Sequence, residues 1–109
     1  MSDTIKILGQ SKPLAATLTD AYTVPAATMA SVSSVVVCNQ SATATTFRIS
    51  LAVAGAVDTA AQYLYYDVAA PGNDTFVATI GISLAATDVL RVYNTLATCS
   101  FTVLGVQVT

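Results

Sequence analysis

The sequence has no histidine, no tryptophan and no glutamate. Without histidine, the commonest general base and the usual partner of a serine nucleophile are missing. Without glutamate, carboxylate chemistry falls to Asp3, Asp20, Asp58, Asp67, Asp74 and Asp88, and no spacing singles out two of them as a glycosidase pair. Each lies beside a predicted turn or strand end, where aspartate commonly hydrogen-bonds the local backbone. No phosphate-binding loop, glycine-rich dinucleotide fingerprint or Gly-x-Ser-x-Gly elbow is present. The expectation is a protein that is not an enzyme and takes no cofactor.

Charge is also scarce, at 9% of the residues against roughly 25% in ordinary soluble domains. Lys6, Lys12, Arg48 and Arg91 are the only cations and do not cluster, so no nucleic-acid partner is expected. The longest run of large apolar residues, Val35-Val36-Val37-Cys38, is far short of the roughly 20 that a spanning helix needs, and no membrane partner is expected. The opening MSDTIKILGQ lacks a basic stretch followed by an apolar one, so no secretory signal is read. Cys38 and Cys99 are accordingly expected as buried, reduced thiols rather than a disulfide, and no CxxC spacing suggests a metal. Asn39-Gln-Ser41 and Asn73-Asp-Thr75 match glycosylation acceptors but carry no weight without a secretory route. Asn73-Asp74 with Asp67 could offer oxygens to calcium, yet a turn explains the first two more economically.

What the chain does have is apolar residues, 54% of 109, much of this alanine interleaved with threonine. An uncharged, weakly hydrated surface suits a subunit covered by neighbours and is a poor one for a free monomer. The expected first partner is therefore the protein itself.

Period-two alternation recurs along the sequence. In Thr46–Val53, Phe47, Ile49, Leu51 and Val53 form one face while Thr46, Arg48 and Ser50 form the other. The β-branched stretch 31–40 precedes it, and the connector QSATATT suits a hairpin turn. Further strands are predicted at 4–9, 18–24, 62–68, 75–83, 88–94 and 99–108. About eight short strands separated by turn residues read as an all-β, single-domain antiparallel sandwich or barrel. Helix has little support, and only AVAGAVDTAA (52–61) could hold a helical turn in what is otherwise a loop. Residues 10–31 are the least regular, so 1–12 are expected as an N-terminal arm ahead of a sandwich at 13–109. Leu-Ala-Ala-Thr occurs at 14–17 and 84–87; in a chain so rich in these residues, coincidence is the simpler account.

Two strands are apolar on both parities. In QYLYYD (62–67), strict alternation puts Tyr63 and Tyr65 on one side, Leu64 and Tyr66 on the other. In the last strand Cys99, Phe101 and Val103 share one parity, and Leu104, Val106 and Val108 the other, with Gly105 at the change. Either a bulge at Gly105 switches the inward face, or a second subunit covers the other side. Tyrosine joins a large ring to a polar handle and is enriched at interfaces, so Tyr63, Tyr65 and Tyr66 are candidate interface residues. Arg48 and Arg91, on predicted strands, are surface charges or docking points for a partner carboxylate. Tyr22 and Tyr93 read as core or rim residues.

The stretch LTDAYTVPAATMASVSSVVVCNQSATATTFRISLAVAG (18–55), with its Tyr-Thr-Val-Pro-Ala start, Val/Ser-rich strand, Asn-containing turn and Thr-Phe-Arg strand, resembles small virion structural proteins of tailed bacteriophages. QYLYYD and NDTFVATIGISLAATDVLRVYNTLATCSFTVLGVQV continue the similarity over nearly the whole chain. The resemblance implies a β-sandwich particle protein, made in the host bacterial cytoplasm and located in the virion. A capsid cement (decoration) protein is the leading form, a homotrimer bridging capsomers of the major capsid protein. A tail, neck or baseplate component is the alternative, and a carbohydrate-binding module for host attachment is a third reading.

Overall fold

A computed structural model describes residues 3–109. It contains eight strands: β1 (Asp3–Ser11), β2 (Thr19–Thr23), β3 (Met29–Asn39), β4 (Thr45–Ala52), β5 (Tyr63–Ala70), β6 (Thr75–Leu84), β7 (Val89–Asn94) and β8 (Cys99–Val108). Short 3-10 turns at Val53–Gly55 and Ala60–Gln62 interrupt the loop between β4 and β5, so the segment read as helical turn or loop holds both.

The strands form two antiparallel four-stranded sheets, ordered β1-β8-β3-β6 (the long sheet) and β2-β7-β4-β5 (the short sheet). β1 pairs with β8, β2 with β7, β3 with β6 and β4 with β5. The chain is thus one long hairpin whose two arms, paired throughout, roll up into a sandwich closed by β3–β8 and β4–β7 pairing. This winding is that of an eight-stranded jelly roll. Only the β4–β5 connection stays within a sheet. The expected hairpin at QSATATT is therefore an arch from the long sheet to the short one. Its small polar residues turn the chain across the end of the sandwich instead of reversing it beside itself.

The core between the sheets follows the predicted alternation. Val32, Val35, Val37, Phe101 and Val103 from the long sheet meet Phe47, Ile49, Leu90 and Val92 from the short sheet, all essentially without exposure. Phe47 is the hub: its ring centroid lies 5.4 Å from Phe76, 6.1 Å from Phe101 and 6.4 Å from Tyr65, within the range of favourable aromatic pairs.

Two buried asparagines hold one end of the sandwich. The Asn39 amide nitrogen donates to the carbonyls of Thr43, Ala70 and Pro71, while its oxygen accepts from the Ser41 amide. The Asn94 oxygen accepts from the Thr98 and Cys99 amides, and its nitrogen donates to the Thr46 carbonyl and the Thr45 hydroxyl. Each fills the hydrogen-bonding capacity of loop backbone that would otherwise be buried unpaired. The first of the two glycosylation-like triplets is thus a structural clamp.

The N-terminal segment differs from the expected arm. Residues 3–11 are an edge strand of the long sheet, and a Cβ at Gly9 would run into the Ala21 carbonyl of β2. Glycine at this position lets β1 lie directly against the short sheet. Pro13 is buried just beyond it; Met1 and Ser2 lie outside the described residues.

Nor does β8 bulge at Gly105. β8 pairs regularly through that residue, and the register shifts fall at Leu8 in β1 and Ser33 in β3. Gly105 serves close approach, because a Cβ there would meet the Ser31 carbonyl oxygen. Cys99, Phe101 and Val103 therefore face the core, and Leu104, Val106 and Val108 lie on the outside of the long sheet. The two Leu-Ala-Ala-Thr copies are not equivalent either: the left-handed residue of the first turn is Ala16 (φ 51°), and that of the second is Thr87 (φ 70°).

Candidate functional site

The molecule is a slab of 45 × 27 × 19 Å with two broad outer faces of opposite character. On the short sheet, the outer face is organised by Arg48. Opposite this one β4 residue, between the Phe47–Val68 and Ile49–Tyr65 pairs, β5 places two residues, Tyr66 and Asp67. Asp67 takes a left-handed conformation (φ 52°) there, as one residue of a bulge often does. The bulge lets both side chains serve the same guanidinium. Asp67 accepts hydrogen bonds from Nε at 2.7 Å and a terminal nitrogen at 3.3 Å, and the Arg48 guanidinium lies 4.1 Å from the Tyr66 centroid and 4.3 Å from that of Tyr93. The hydrogen bond to Asp67 shifts the Arg48 pKa upward, so its charge is permanent.

Tyr63 completes this cluster. Its ring stands edge-on to Tyr66 at 5.1 Å and its hydroxyl donates to Asp58 at 3.0 Å. Burial and the Asp58 hydrogen bond both push its phenol pKa up. A second register shift, between Ile49 and Ser50, makes Leu64 the extra residue between Tyr63 and Tyr65. This corrects the expectation that Tyr63 and Tyr65 share a face. Tyr65 points into the sandwich against Phe47 and Phe76, whereas Tyr63 and Tyr66 stand outside with Arg48. Strict alternation fails because β5 carries two bulges within five residues.

Arg91 lies on the same outer face. It donates to Asp20 at 3.1 Å and to the carbonyls of Ala56 and Gly55 at 2.8 and 3.3 Å, fastening the β4–β5 loop against β7. Asp88 ties this loop to the β6–β7 turn, accepting from the Ala54 amide of the loop and the Ala85 amide of the turn. Of the five nominated interface residues, the fold gathers Tyr63, Tyr66, Arg48 and Arg91 on one surface. Within the subunit Arg91 donates from all three of its nitrogens, and Arg48 from Nε and one terminal nitrogen. Tyr93, assigned to core or rim, and Asp58 and Asp67, read as aspartates beside turns or strand ends, are the members of this cluster that sequence reasoning missed; the cue for Tyr93 is its register opposite Arg48, which the sequence alone does not reveal.

The outer face of the long sheet has almost no charge. Cross-strand register places Ile5, Val106 and Ser31 in one row, Ile7, Leu104 and Ser34 in the next, and Val36, Thr102 and Gln10 beyond them. β6 adds Val77, Thr79 and Ser83. Asp3, at the corner beside Val108 and Met29, is the single charged strand residue on this face among the described residues. Ile5, Ile7, Met29 and Val77 are exposed. A depression of about 470 Å³ continues the apolar surface around the edge, lined by Ala27, Thr28, Met29, Ala86 and Val108 together with Thr109.

Both cysteines are free thiols. β3–β8 pairing sets Asn39 opposite Cys99 and Cys38 opposite Ser100, so Cys99 faces the core and Cys38 the outer surface. Burial pushes the Cys99 thiol pKa up. Cys38 is half-buried rather than fully enclosed, because neighbouring residues of a strand alternate in direction. Comparison with protein-family models and with curated proteins gave no match to this chain.

Proposed function

We propose that this chain is a non-enzymatic structural subunit of a tailed-bacteriophage virion, a cement protein that joins copies of itself, as a trimer, and bridges capsomers of the major capsid protein. The observation that carries the reading is the broad, nearly uncharged outer face of the long sheet. Exposed isoleucine, methionine and valine, with Asp3 at one corner as the single charged strand residue among the described residues, suit permanent cover rather than solvent. The jelly-roll winding agrees, since viral capsid domains use it, as do lectins; this support is analogy at the level of fold. The resemblance of residues 18–55, 62–67 and 73–108 to small phage virion proteins points the same way.

The mechanism is adhesion. A rigid sandwich offers flat faces to neighbours, and particle symmetry repeats each weak contact many times, so no single contact need be strong. Tyr63, Tyr66 and Arg48 supply a second, polar-aromatic surface that can meet the shell.

Cryo-electron microscopy of the purified particle tests the reading. The sandwich should appear on the capsid surface, bridging capsomers. Density on the tail, neck or baseplate instead would make it a component of that structure. Particles that lack the chain altogether, judged by mass spectrometry, would refute a virion role. Exposed tyrosines beside an arginine could also stack on sugars, so specific glycan binding by the isolated protein would favour the lectin-like reading.

A further inference from the structure

We infer that the outer face of the long sheet is a self-association surface, and that what covers it is the same face of further copies of this chain. The inference deepens the assembly reading by naming the partner of one face, and it does not depend on a virion location. Three observations carry it.

The first is charge. Among the described residues the strands of this face carry one charge, Asp3 at a corner, and Lys12 lines a depression at the other end beside Gln10, Ser100 and Thr102. A partner bearing charges across the centre of the face would have to bury them unpaired, which opposes binding. A nucleic acid or an anionic membrane would be met by a cluster of cations, and among the described residues only Lys12, at one end, borders this face. An uncharged apolar surface is complementary to itself.

The second is size. Strands of 9, 10, 11 and 10 residues, spaced about 4.8 Å apart and rising about 3.3 Å per residue, span roughly 19 by 33 Å. That is about 600 Å² in projection before side-chain relief is counted, close to the about 800 Å² per partner of a standard stable interface.

The third is stiffness. Ile5, Ile7, Val36, Val77, Val106 and Val108 are all β-branched, so their χ1 angles are restricted before contact. Covering them loses less side-chain freedom than covering long flexible residues would. Ile5 is 86% exposed and Ile7 54%, leaving them little to do within a single subunit.

Sedimentation equilibrium of the isolated protein at micromolar concentration should report a species heavier than the 11.2 kDa monomer. Replacing Ile5→Asp together with Ile7→Asp should weaken association at least tenfold with little change in thermal unfolding. Val106→Thr, nearly isosteric, should weaken it in the same direction and serves if the double variant folds poorly. Val57→Asp, in the exposed β4–β5 loop, should leave it intact. A wild-type protein that stays monomeric at hundreds of micromolar would overturn the inference, including when it binds particles through this face. So would variants that assemble as well as wild type, or assembly that responds to Tyr66→Ala instead. Failure here would leave the cryo-electron microscopy test of a virion role undecided, so the two readings can fail separately.

Discussion

At the scale of single residues, the molecule depends on a few polar groups placed where backbone must leave the sheets. Asn39 and Asn94 each bridge strand ends that belong to different sheets. Their amide nitrogens face carbonyl oxygens, so an isosteric aspartate would set a carboxylate against acceptors in a buried site. Asn39→Asp or Asn94→Asp should each destabilise the fold by about 3 kcal/mol, read as a shift of the urea midpoint at neutral pH. A change below about 0.5 kcal/mol would show that the loops hold without these clamps. The thiols make a second residue-scale prediction. In dilute solution Cys38 should react with a thiol reagent in the folded protein, whereas Cys99 should react only after unfolding. Burial also keeps Cys99 protonated in the native state at pH values where the unfolded thiol, with its pKa of about 8.5, ionises. Protons then favour the native state. Stability should be level below about pH 8.5 and fall as pH rises towards the native Cys99 value, by at most about 1.4 kcal/mol per pH unit from this group. Cys99→Ala should flatten that decline relative to its own neutral-pH stability, and thermal unfolding between pH 7 and 10 would measure it.

At the scale of elements, much of the architecture is legible from alternation and turn residues. The predicted strands 18–24, 62–68, 75–83, 88–94 and 99–108 overlap β2 and β5 to β8, because each is a short run rich in β-branched, aromatic or other apolar residues set off by turn residues. Pairing was less legible. Nothing in QSATATT distinguishes an arch from a hairpin, since both need the same small polar residues, and the choice depends on which distant strand pairs with β3. The candidate site was legible in composition but not in geometry: Tyr63, Tyr66, Arg48 and Arg91 were found, yet the bulges that separate Tyr65 from Tyr63 arise from pairing with β4. That separation has a measurable consequence. Tyr65→Ala removes a ring packed on Phe47 and Phe76 and should cost about 3 kcal/mol of stability, at the low end for aromatic truncation because the residue is only partly buried. Tyr66→Ala removes an exposed stacking partner of Arg48 and should cost about 1 kcal/mol or less. Equal losses in chemical denaturation would contradict the inside–outside assignment of β5.

At the scale of the whole molecule, the two outer faces divide the surface by chemistry. The short sheet covers its outer side with its own arginines, aspartates and tyrosines, which satisfy one another within the chain. The long sheet leaves its outer side apolar and almost uncharged. The central claim is that copies of the chain cover the second face and not the first. Met29 and Tyr66 report on the two faces directly, being 55% and 59% exposed in the single subunit and both oxidisable by hydroxyl radicals. Radical footprinting of the isolated protein, read by mass spectrometry from nanomolar to hundreds of micromolar concentration, measures each against its own dilute value. Oxidation of Met29 should fall several-fold as concentration rises while that of Tyr66 stays level; Met29 reactivity that never changes, or protection that falls on Tyr66 instead, would contradict the account.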